Sequence, residues 1–489
     1  MSQRSRAIIA ALIITASAAS FAAASSGVGA QPTGTVTTYD YDNARSGDGS
    51  TTAIARLSAN PSWTTQLDGA VYGEPLYFND LVYVGTENNT LYALSPTTGR
   101  VQWHVHFGPA VRTAVIDRAT GLGNYCGDID PLGITGTPVI DPSTDTIFVA
   151  DETMLGATKW QDIRHELYSV SLATHRVLWH RVIDPPHGNN PNDYIIPAQQ
   201  QRPALTLANG RVYVGFGGLA GDCGKYHGWV VALPENGRGT LLHYQVPTFT
   251  EGAIWETNGA VVNAAGDLYV ATGNGYSQTT FDGGDALIEL SPTLTKIGWW
   301  APADWAQLTA NDWDLGSAGP IAIPGSTDVF IAGKVSDLGE VGYIVNGTNP
   351  GHGPGAPVYS GAACPDGSPG DFGADASDIV TVDGVTKTFI YLACQGGMEA
   401  LSVTLGAHPR FTQAWAPSTG SPEGPPVVAG GYVWQLDYDN NVLYAMNPVT
   451  GVVKWFRSTT GLNHFATPTV AGGHVFIPTG NGVQAFTTG

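Results

Sequence analysis

Residues 81–103 read LVYVGTENNTLYALSPTTGRVQW, and residues 432–455 repeat the pattern as YVWQLDYDNNVLYAMNPVTGVVKW. In both stretches large apolar residues alternate with small or polar ones at a period of two, which is typical of β-strands. Polar and Pro/Gly segments interrupt the alternation, and Trp103 and Trp455 close the two units. Each unit therefore predicts a strand, a polar turn, a second strand, a Thr-Gly turn and a third strand that ends on Trp.

Weaker copies of this unit fill the chain between the two clear ones. The aromatic residue of its first long strand recurs at Tyr83, Phe148, Tyr213, Tyr269, Phe330, Tyr391, Trp434 and Phe476. The last copy ends one strand short, and residues 61–67, with Trp63 as the closing aromatic, are predicted to supply that strand. A ring closed in this way has no exposed edge strands. We therefore predict an all-β fold over residues 31–489: a single eight-bladed β-propeller of four-stranded blades, with its last blade closed by an N-terminal strand.

The composition agrees with this fold class and narrows the possible partners. Only 13% of the 489 residues are charged, and 63 are Gly and 32 Pro, which leaves few residues for solvated helical faces. The formal net charge is −20. Because an acidic surface repels phosphate backbones and anionic lipids, nucleic-acid and membrane-surface roles are disfavoured.

The first thirty residues are predicted to be a signal peptide. Arg4 and Arg6 form a basic start, an apolar run follows over residues 8–19, and small residues come next. No later stretch has the length and hydrophobicity of a membrane span. We expect a secreted protein, extracellular or periplasmic, and a monomer.

Four cysteines, Cys126, Cys223, Cys364 and Cys394, suit an oxidising compartment and allow three disulfide pairings. No Cys-x-x-Cys-His sequence occurs, so an attached c-type haem is not expected. Placed on the predicted blades, Cys126 and Cys223 fall in loops of one face, and the other two fall in the region of blade six. We predict the pairs Cys126–Cys223 and Cys364–Cys394.

The repeated unit resembles the blade of quinoprotein alcohol dehydrogenases, which bind pyrroloquinoline quinone, and the resemblance covers residues 31–489. The opening Tyr-Asp-Tyr-Asp-Asn-Ala-Arg-Ser-Gly at residues 39–47 is similar to that of secreted propellers described only as quinone-binding-like. Non-enzymatic propellers share the unit too, including the lipoprotein of the outer-membrane barrel-assembly machinery. The resemblance therefore implies the fold more specifically than the activity.

Five residues match positions with a role in those dehydrogenases. Asn274, in Ala-Thr-Gly-Asn-Gly, matches a calcium-binding Asn, and Asp222 matches a calcium-binding Glu if one residue of slippage is allowed. Asp314, in Asn-Asp-Trp-Asp, matches the catalytic Asp, which the resemblance also places near the calcium. Lys334 matches a Lys that reaches the quinone. Trp255 is the candidate for the floor on which the quinone ring stacks.

The resemblance implies a coherent chemistry for these residues. Calcium takes hard oxygen ligands and would polarise a quinone carbonyl as a Lewis acid. Asp314 would remove the alcohol proton as a general base, and Lys334 would stabilise negative charge on the reduced quinone. The strand-end and inter-blade loops of a propeller open toward its axis on one face. We therefore predict that Asn274, Asp314 and Lys334 line one central funnel.

Two functional hypotheses remain open at this point. The adjacent Cys pair that caps the quinone in the dehydrogenases is absent, and Asn274 sits in a Gly-Asn-Gly turn that needs no metal. Asp314 could cap a loop, and a strand-end lysine such as Lys334 is usually solvated. These departures favour a non-catalytic propeller that binds a protein, glycan or small ligand in its funnel. The alternative is a calcium- and quinone-dependent dehydrogenase of an alcohol, polyol or sugar.

Overall fold

The computed structural model describes residues 34–49, 52–121, 126–156, 159–186, 194–333, 340–364, 373–394, 396–415 and 424–489. Their strands form eight separate sheets in chain order, six with four strands and two with five, and the four strands of the repeat run outward from a central axis in antiparallel pairs. This confirms the predicted all-β, eight-bladed propeller. The eight predicted aromatic positions all lie on the second strand of successive blades.

The strands of the first four blades, with the strand that belongs to the last blade, are β1 (Trp63–Gln66), β2 (Leu76–Phe78), β3 (Leu81–Thr86), β4 (Thr90–Leu94), β5 (Val101–His106), β6 (Val139–Asp141), β7 (Thr146–Met154), β8 (Ile163–Ser171), β9 (Val177–Val182), β10 (Gln199–Gln200), β11 (Thr206–Ala208), β12 (Arg211–Gly218), β13 (Trp229–Pro234), β14 (Leu242–Gln245), β15 (Val261–Val262), β16 (Leu268–Ala271), β17 (Leu287–Leu290) and β18 (Lys296–Ala301). The remaining strands are β19 (Ile321–Ala322), β20 (Val329–Ala332), β21 (Glu340–Val345), β22 (His352–Pro354), β23 (Tyr359–Ala363), β24 (Ala376–Val382), β25 (Val385–Leu392), β26 (Glu399–Thr404), β27 (Arg410–Trp415), β28 (Val427–Ala429), β29 (Tyr432–Asp437), β30 (Val442–Met446), β31 (Val453–Ser458), β32 (Thr469–Ala471), β33 (His474–Thr479) and β34 (Gly482–Thr487).

Two blades carry a fifth strand that the repeat did not predict. In blade three, β10 pairs with the end of β12 beyond β11, and in blade four the short β22 adds in parallel to β18. Two α-helices, α1 (Thr113–Thr120) and α2 (Trp305–Asn311), lie between blades. Three single 3₁₀ turns complete the elements, at Trp160–Asp162, Ile196–Ala198 and Leu315–Ser317. Within the described ranges, no helix is long and apolar enough to cross a membrane.

The ring closes as predicted, because β1 pairs with β34 and supplies the outer strand of blade eight. Trp63 lies opposite Ala485 in this pairing. Its indole N–H donates to the carbonyl of Pro96 in blade one, at 2.7 Å. The first and last parts of the chain are therefore joined in one sheet, which removes the exposed edge of an open array.

The closing tryptophans explain the Thr-Gly turn of the repeat. The ring of Trp415, at the edge of blade six, lies over Gly451 of blade seven, and its N–H donates to the carbonyl of Pro448 at 3.0 Å. Trp63 packs in the same way on Gly99. Gly451 and Gly99 have φ angles of 67° and 68°, a region that favours glycine, and neither has room for a Cβ. The turn glycine is thus the docking surface for the neighbouring blade.

An N-terminal segment, Val36–Gly49, crosses the propeller axis on one face. This is the face on which the first strand of each blade turns into the second. We call this segment the strap. It makes a hydrogen bond with the innermost strand of each of the eight blades. The pairs are Val36–Tyr77, Thr37–Ile140, Asn43–Leu207, Asn43–Val262, Ala44–Ala322, Ser46–Ser377, Gly49–Val428 and Tyr41–Val470. The predicted signal peptide, residues 1–30, lies outside the described residues and stays a prediction.

Arg45 anchors the strap inside the ring. Its side chain is completely buried, and its guanidinium donates to Thr38 Oγ1 and to the Tyr39 carbonyl, both at 2.8 Å. It also donates to Thr206 Oγ1 at 2.7 Å, which ties the strap to blade three. Because a buried guanidinium needs its donors satisfied, this network fixes the strap across the bottom of the channel.

One of the two predicted disulfides is present: Cys364 and Cys394 are bonded, with Cα atoms 5.6 Å apart, and link the edge of blade five to blade six. Cys126 and Cys223 differ from the prediction. They share one apolar cluster, as expected, but carry thiols that make a hydrogen bond with each other. Burial raises the pKa of the Cys223 thiol to about 12, which disfavours the thiolate that disulfide exchange requires.

Candidate active site

A funnel of about 390 Å³ opens on the face opposite the strap, where the loops after the second and fourth strands converge. The residues that line it come from seven segments far apart in the chain: Asp128, Gln200, Arg202, Gly218, Ala220, Gly221, Asp222, Trp255, Asp312, Asp314, Ser317, Tyr438, His464 and Phe465. Three of the predicted site residues, Asp222, Trp255 and Asp314, are among them. Lys334 lies outside the described residues.

Asp314 reaches the floor of the funnel because of the turn that follows α2. The helix ends at Asp312, which has a left-handed φ of 58° and so reverses the chain. The buried Asp285 holds both sides of this turn: it accepts the Thr309 hydroxyl at 2.7 Å and the Leu315 N–H at 3.0 Å. Asp314 is 1% exposed, and its Oδ1 accepts the backbone N–H of Asn274 at 2.7 Å. The carboxylate is therefore held in a fixed position.

Asn274 joins the same cluster although it does not line the funnel. Its amide nitrogen donates to Asp312 Oδ1 at 2.6 Å. Its amide oxygen is shielded from solvent, and no donor among the described residues reaches it. A buried carbonyl oxygen without a donor is costly, and a bound cation would satisfy it. Asn274 is thus bonded to both Asp312 and Asp314, and its own amide oxygen is left free to bind a cation.

Trp255 lies beside this cluster, across Gly273. A Cβ at position 273 would stand 2.7 Å from Asp314 Oδ1 and 3.2 Å from the Trp255 ring. The indole and the carboxylate therefore flank a gap that only glycine leaves open. Because aromatic faces stack on other flat rings, this is a suitable wall for a planar ligand.

Asp222 lines the funnel from the loop of blade three. It accepts a hydrogen bond from the Tyr226 hydroxyl. Of the three residues predicted to line the funnel together, Asp314 lines it, Asn274 does not but is bonded to Asp314, and Lys334 lies outside the described residues. Asp222 and Trp255, the other two candidate site residues, also line the funnel. Their roles remain predictions.

The sequence analysis missed Arg202, which also lines the funnel. Its Nε donates to the Trp255 carbonyl at 2.8 Å, and its guanidinium carbon is 4.7 Å from the centre of the Phe465 ring. No motif of the repeat marks this residue. Leu76 and Thr206 pair with the equivalent Tyr83 and Tyr213, so Arg202 corresponds to Tyr72 of blade one.

His464 and Asp128 were missed as well. His464 Nε2 lies 3.1 Å from Asp128 Oδ2 at the wall of the funnel. The hydrogen bond from His464 is the main reason why the pKa of Asp128 is below its usual value. No pattern in the sequence joins these two residues, because 336 positions separate them and only the closed ring brings them together.

The funnel is strongly acidic. Burial, together with the nearby charges of Asp222, Asp282, Asp314 and Asp312, raises the pKa of Glu251 to about 7. Within the described ranges, no group of three or more His, Cys, Asp and Glu side chains is arranged to hold a metal. Asp312 and Asp314 are two candidate oxygen ligands, and the Asn274 amide is the third.

The chain forms an eight-bladed propeller with an acidic funnel lined by Trp and Asp, and comparison with known proteins confirms the resemblance to quinoprotein-like propellers that the sequence indicates. The family model described as outer membrane protein assembly factor BamB matches residues 14–220. A polyvinylalcohol dehydrogenase of Sphingopyxis sp. (strain 113P3) is 23% identical over 276 residues, which cover 51% of this chain and 35% of that protein. The match therefore spans only about a third of the relative's length.

Two solved structures of quinohemoprotein alcohol dehydrogenases share the fold. The enzyme of Pseudomonas putida HK5 aligns with a TM-score of 0.62 at 12% identity, over 93% of this chain and 80% of its own. That of Comamonas testosteroni aligns with a TM-score of 0.61 at 15% identity, over 94% and 81%. At these identities the likeness establishes the propeller architecture.

Proposed function

We propose that this protein is a calcium- and quinone-dependent dehydrogenase that oxidises a hydroxyl group in the funnel. The observation that carries the proposal is the cluster of Asn274, Asp312 and Asp314, with its solvent-shielded amide oxygen, placed beside the Trp255 ring. The relative named as a polyvinylalcohol dehydrogenase supports a hydroxylated substrate. Sequence alone favoured a non-catalytic binding role, and this geometry is the reason to prefer the alternative.

The residues present suit both implied groups. Asn274, Asp312 and Asp314 would hold calcium, which takes amide and carboxylate oxygens. Trp255 would support the flat ring of pyrroloquinoline quinone, and Arg202 and His464 would face its acidic substituents. Bound together, calcium and the quinone supply an electrophilic carbonyl that accepts the two electrons lost by the substrate.

The protein's own residues would orient the substrate and accept its proton. The hydrogen bond from the Asn274 N–H fixes the Asp314 carboxylate, which takes the hydroxyl proton as general base. Arg202 would balance negative charge in the funnel, where it lies close enough to Asp314 to attract it. Phe465 and Trp255 cover the guanidinium with rings and limit its access to water. On the sequence-based prediction, Lys334 would supply a second positive charge to stabilise the reduced quinone.

The test is turnover of the purified chain supplied with calcium and pyrroloquinoline quinone, followed with an artificial electron acceptor and a panel of alcohols, polyols and sugars. We expect turnover that requires both additions, and Asp314→Asn should lower kcat by about 100-fold or more, the size of a general-base contribution. Asp383→Asn, in an exposed hairpin, is the matched control and should leave the rate unchanged. Equal rates for Asp314→Asn and wild type would refute the role of Asp314. Absence of any turnover, together with retained ligand binding, would support the non-catalytic hypothesis.

A further inference from the structure

One bulky residue at the funnel has a strained backbone. Three non-glycine residues that line the funnel have a left-handed φ: Asp222 at 50°, Asp312 at 58° and Phe465 at 61°. Aspartate adopts this conformation readily, whereas a bulky side chain there is an outlier that costs free energy. Such strain persists where the surrounding contacts hold it, and it is concentrated at functional sites. The conformation of Phe465 therefore calls for a functional explanation.

The loop around Phe465 is held on both sides by hydrogen bonds. Before it, the Asn463 amide nitrogen donates to the Val71 carbonyl at 3.1 Å, next to the first strand of blade one. After it, the hydroxyl groups of Thr467 and Tyr39 share a hydrogen bond at 2.9 Å, which ties the loop to the strap. Because distant parts of the ring hold this loop, the fold itself sets the position of the Phe465 side chain.

The ring of Phe465 contacts both basic side chains among the described residues of the funnel wall. The guanidinium carbon of Arg202 lies 4.7 Å from the ring centre. The imidazole of His464 packs edge-on, with 4.7 Å between ring centres and an angle of 75° between the planes. Asp128 Oδ2 lies 3.1 Å from Nε2 of His464 and fixes the imidazole. Because a cation is attracted to an aromatic face, the ring holds the guanidinium in place.

The guanidinium of Arg202 has donors left for a ligand. Its Nε donates to the Trp255 carbonyl at 2.8 Å, which fixes one edge of the group. Within the described ranges, no protein acceptor takes a hydrogen bond from its two terminal nitrogens. A guanidinium presents its donors as a rigid, planar fork that matches a carboxylate. The terminal nitrogens of Arg202, at the funnel wall, are therefore suited to a planar acidic group of a bound molecule.

We propose that Phe465 is a positioning residue: its ring holds the Arg202 guanidinium so that the terminal nitrogens receive an acidic group of the molecule bound in the funnel. This role rests on the proposed function, since pyrroloquinoline quinone carries such groups. It adds a residue that acts through Arg202 rather than on the ligand. The strained φ of Phe465 is the cost of placing a ring under the guanidinium. Leucine would keep most of the apolar volume at this position but has no aromatic face.

The first measurement needs no ligand. Side-chain NMR of the arginine Nε–H groups in the purified chain, with the Arg202 signal assigned from Arg202→Lys, gives the rate at which this proton exchanges with water. Phe465→Leu should speed the exchange, because the guanidinium is then held less firmly on the Trp255 carbonyl. Phe465→Tyr keeps the ring and should exchange as wild type does. Equal exchange in wild type and Phe465→Leu would overturn the positioning role.

The second measurement is the affinity of the calcium-loaded protein for pyrroloquinoline quinone, by equilibrium dialysis. Phe465→Leu should weaken binding by about tenfold, the size of a partly desolvated cation–π contact, and Phe465→Tyr should restore it. In an Arg202→Gln background, Phe465→Leu should have no further effect, because the ring acts through the guanidinium. An equal loss in both backgrounds would show that Phe465 acts on the ligand directly, and would overturn the positioning role.

Leu294 is the matched control for backbone strain. It has the same φ of 61°, is 4% exposed, and lies in the turn between β17 and β18, outside the funnel wall. Phe465→Gly removes both ring and strain, so quinone binding should fall while Tm stays close to that of wild type. Leu294→Gly removes a buried side chain, so Tm should fall while binding is retained. The pattern of Leu294→Gly in Phe465→Gly would overturn the positioning role.

Failure of the proposed function gives a different result. A wild-type protein that binds no quinone at saturating calcium would refute the proposed function and, with it, the part of Phe465 in binding. Slow exchange of the Arg202 Nε proton in that same protein, lost in Phe465→Leu, would still support the hold of Phe465 on Arg202. Tight quinone binding that is equal in wild type and Phe465→Leu would overturn the positioning role and leave the proposed function intact.

Discussion

The carboxyl groups next to the propeller axis have unusual acidity. Glu74, Glu87 and Glu256 are almost completely buried, and burial raises the pKa of each to about 8. Arg202 and Arg45 act in the opposite direction on Glu256 without cancelling the effect of burial. The folded protein therefore binds protons at these groups more tightly than the unfolded chain does.

This shift predicts a stability that falls as the pH rises. The contribution of these groups is fully present below the unfolded-state pKa of about 4.3 and is lost as pH rises through about 8. Thermal unfolding should give a Tm several degrees higher at pH 5 than at pH 8.5. Glu256→Gln should reduce this difference, whereas Asp145→Asn, on an exposed turn, should not. A wild-type Tm that rises over this range would contradict the assignment.

Single residues were predictable from sequence where a short motif carried them. Asn274 and Asp314 stand in such motifs, and the structure brings them into direct contact. Arg202 and the His464–Asp128 pair had no such motif. Their contacts join blades that are distant in sequence, so only the closed ring defines them.

At the level of elements, the blade is a strand repeat stabilised by the docking of one blade on the next. The period-two pattern predicted the strands, and the Thr-Gly turn proved to be the place where Trp415 rests on Gly451. The pattern missed β22 because this three-residue strand is His-Gly-Pro and has no apolar alternation. It also missed α2, since seven residues are too few for a helical period to be recognised.

The docking of Trp415 on Gly451 predicts that adding one methyl group at position 451 lowers the free energy of unfolding. Gly451→Ala would place a Cβ 2.6 Å from the Trp415 ring at a φ of 67°. Gly461→Ala is the matched control, because it has a φ of 63° and open space around its Cβ position. Chemical unfolding should show a loss of about 1–2 kcal/mol for Gly461→Ala, from backbone strain alone. Gly451→Ala should cost about 1–3 kcal/mol more, from the clash with the ring. Equal losses would refute the docking role of the glycine.

At the level of the whole molecule, the two faces of the propeller have different tasks. The strap joins the innermost strands of all eight blades on one face, and Arg45 fixes it inside the channel. The opposite face keeps the funnel in which Asp314, Trp255 and Arg202 meet. A closed bottom and a rigid ring position loops from distant blades around a single ligand site.

The most direct test of this account is equilibrium dialysis of the purified protein against pyrroloquinoline quinone, with calcium and with a chelator. We predict close to one bound quinone per chain in the presence of calcium and a large loss of binding when calcium is removed. Asn274→Ala should reduce the calcium dependence, because it removes the amide oxygen offered to the ion. No retention of quinone by the wild-type protein at saturating calcium would contradict the central claim that the funnel is a quinone site.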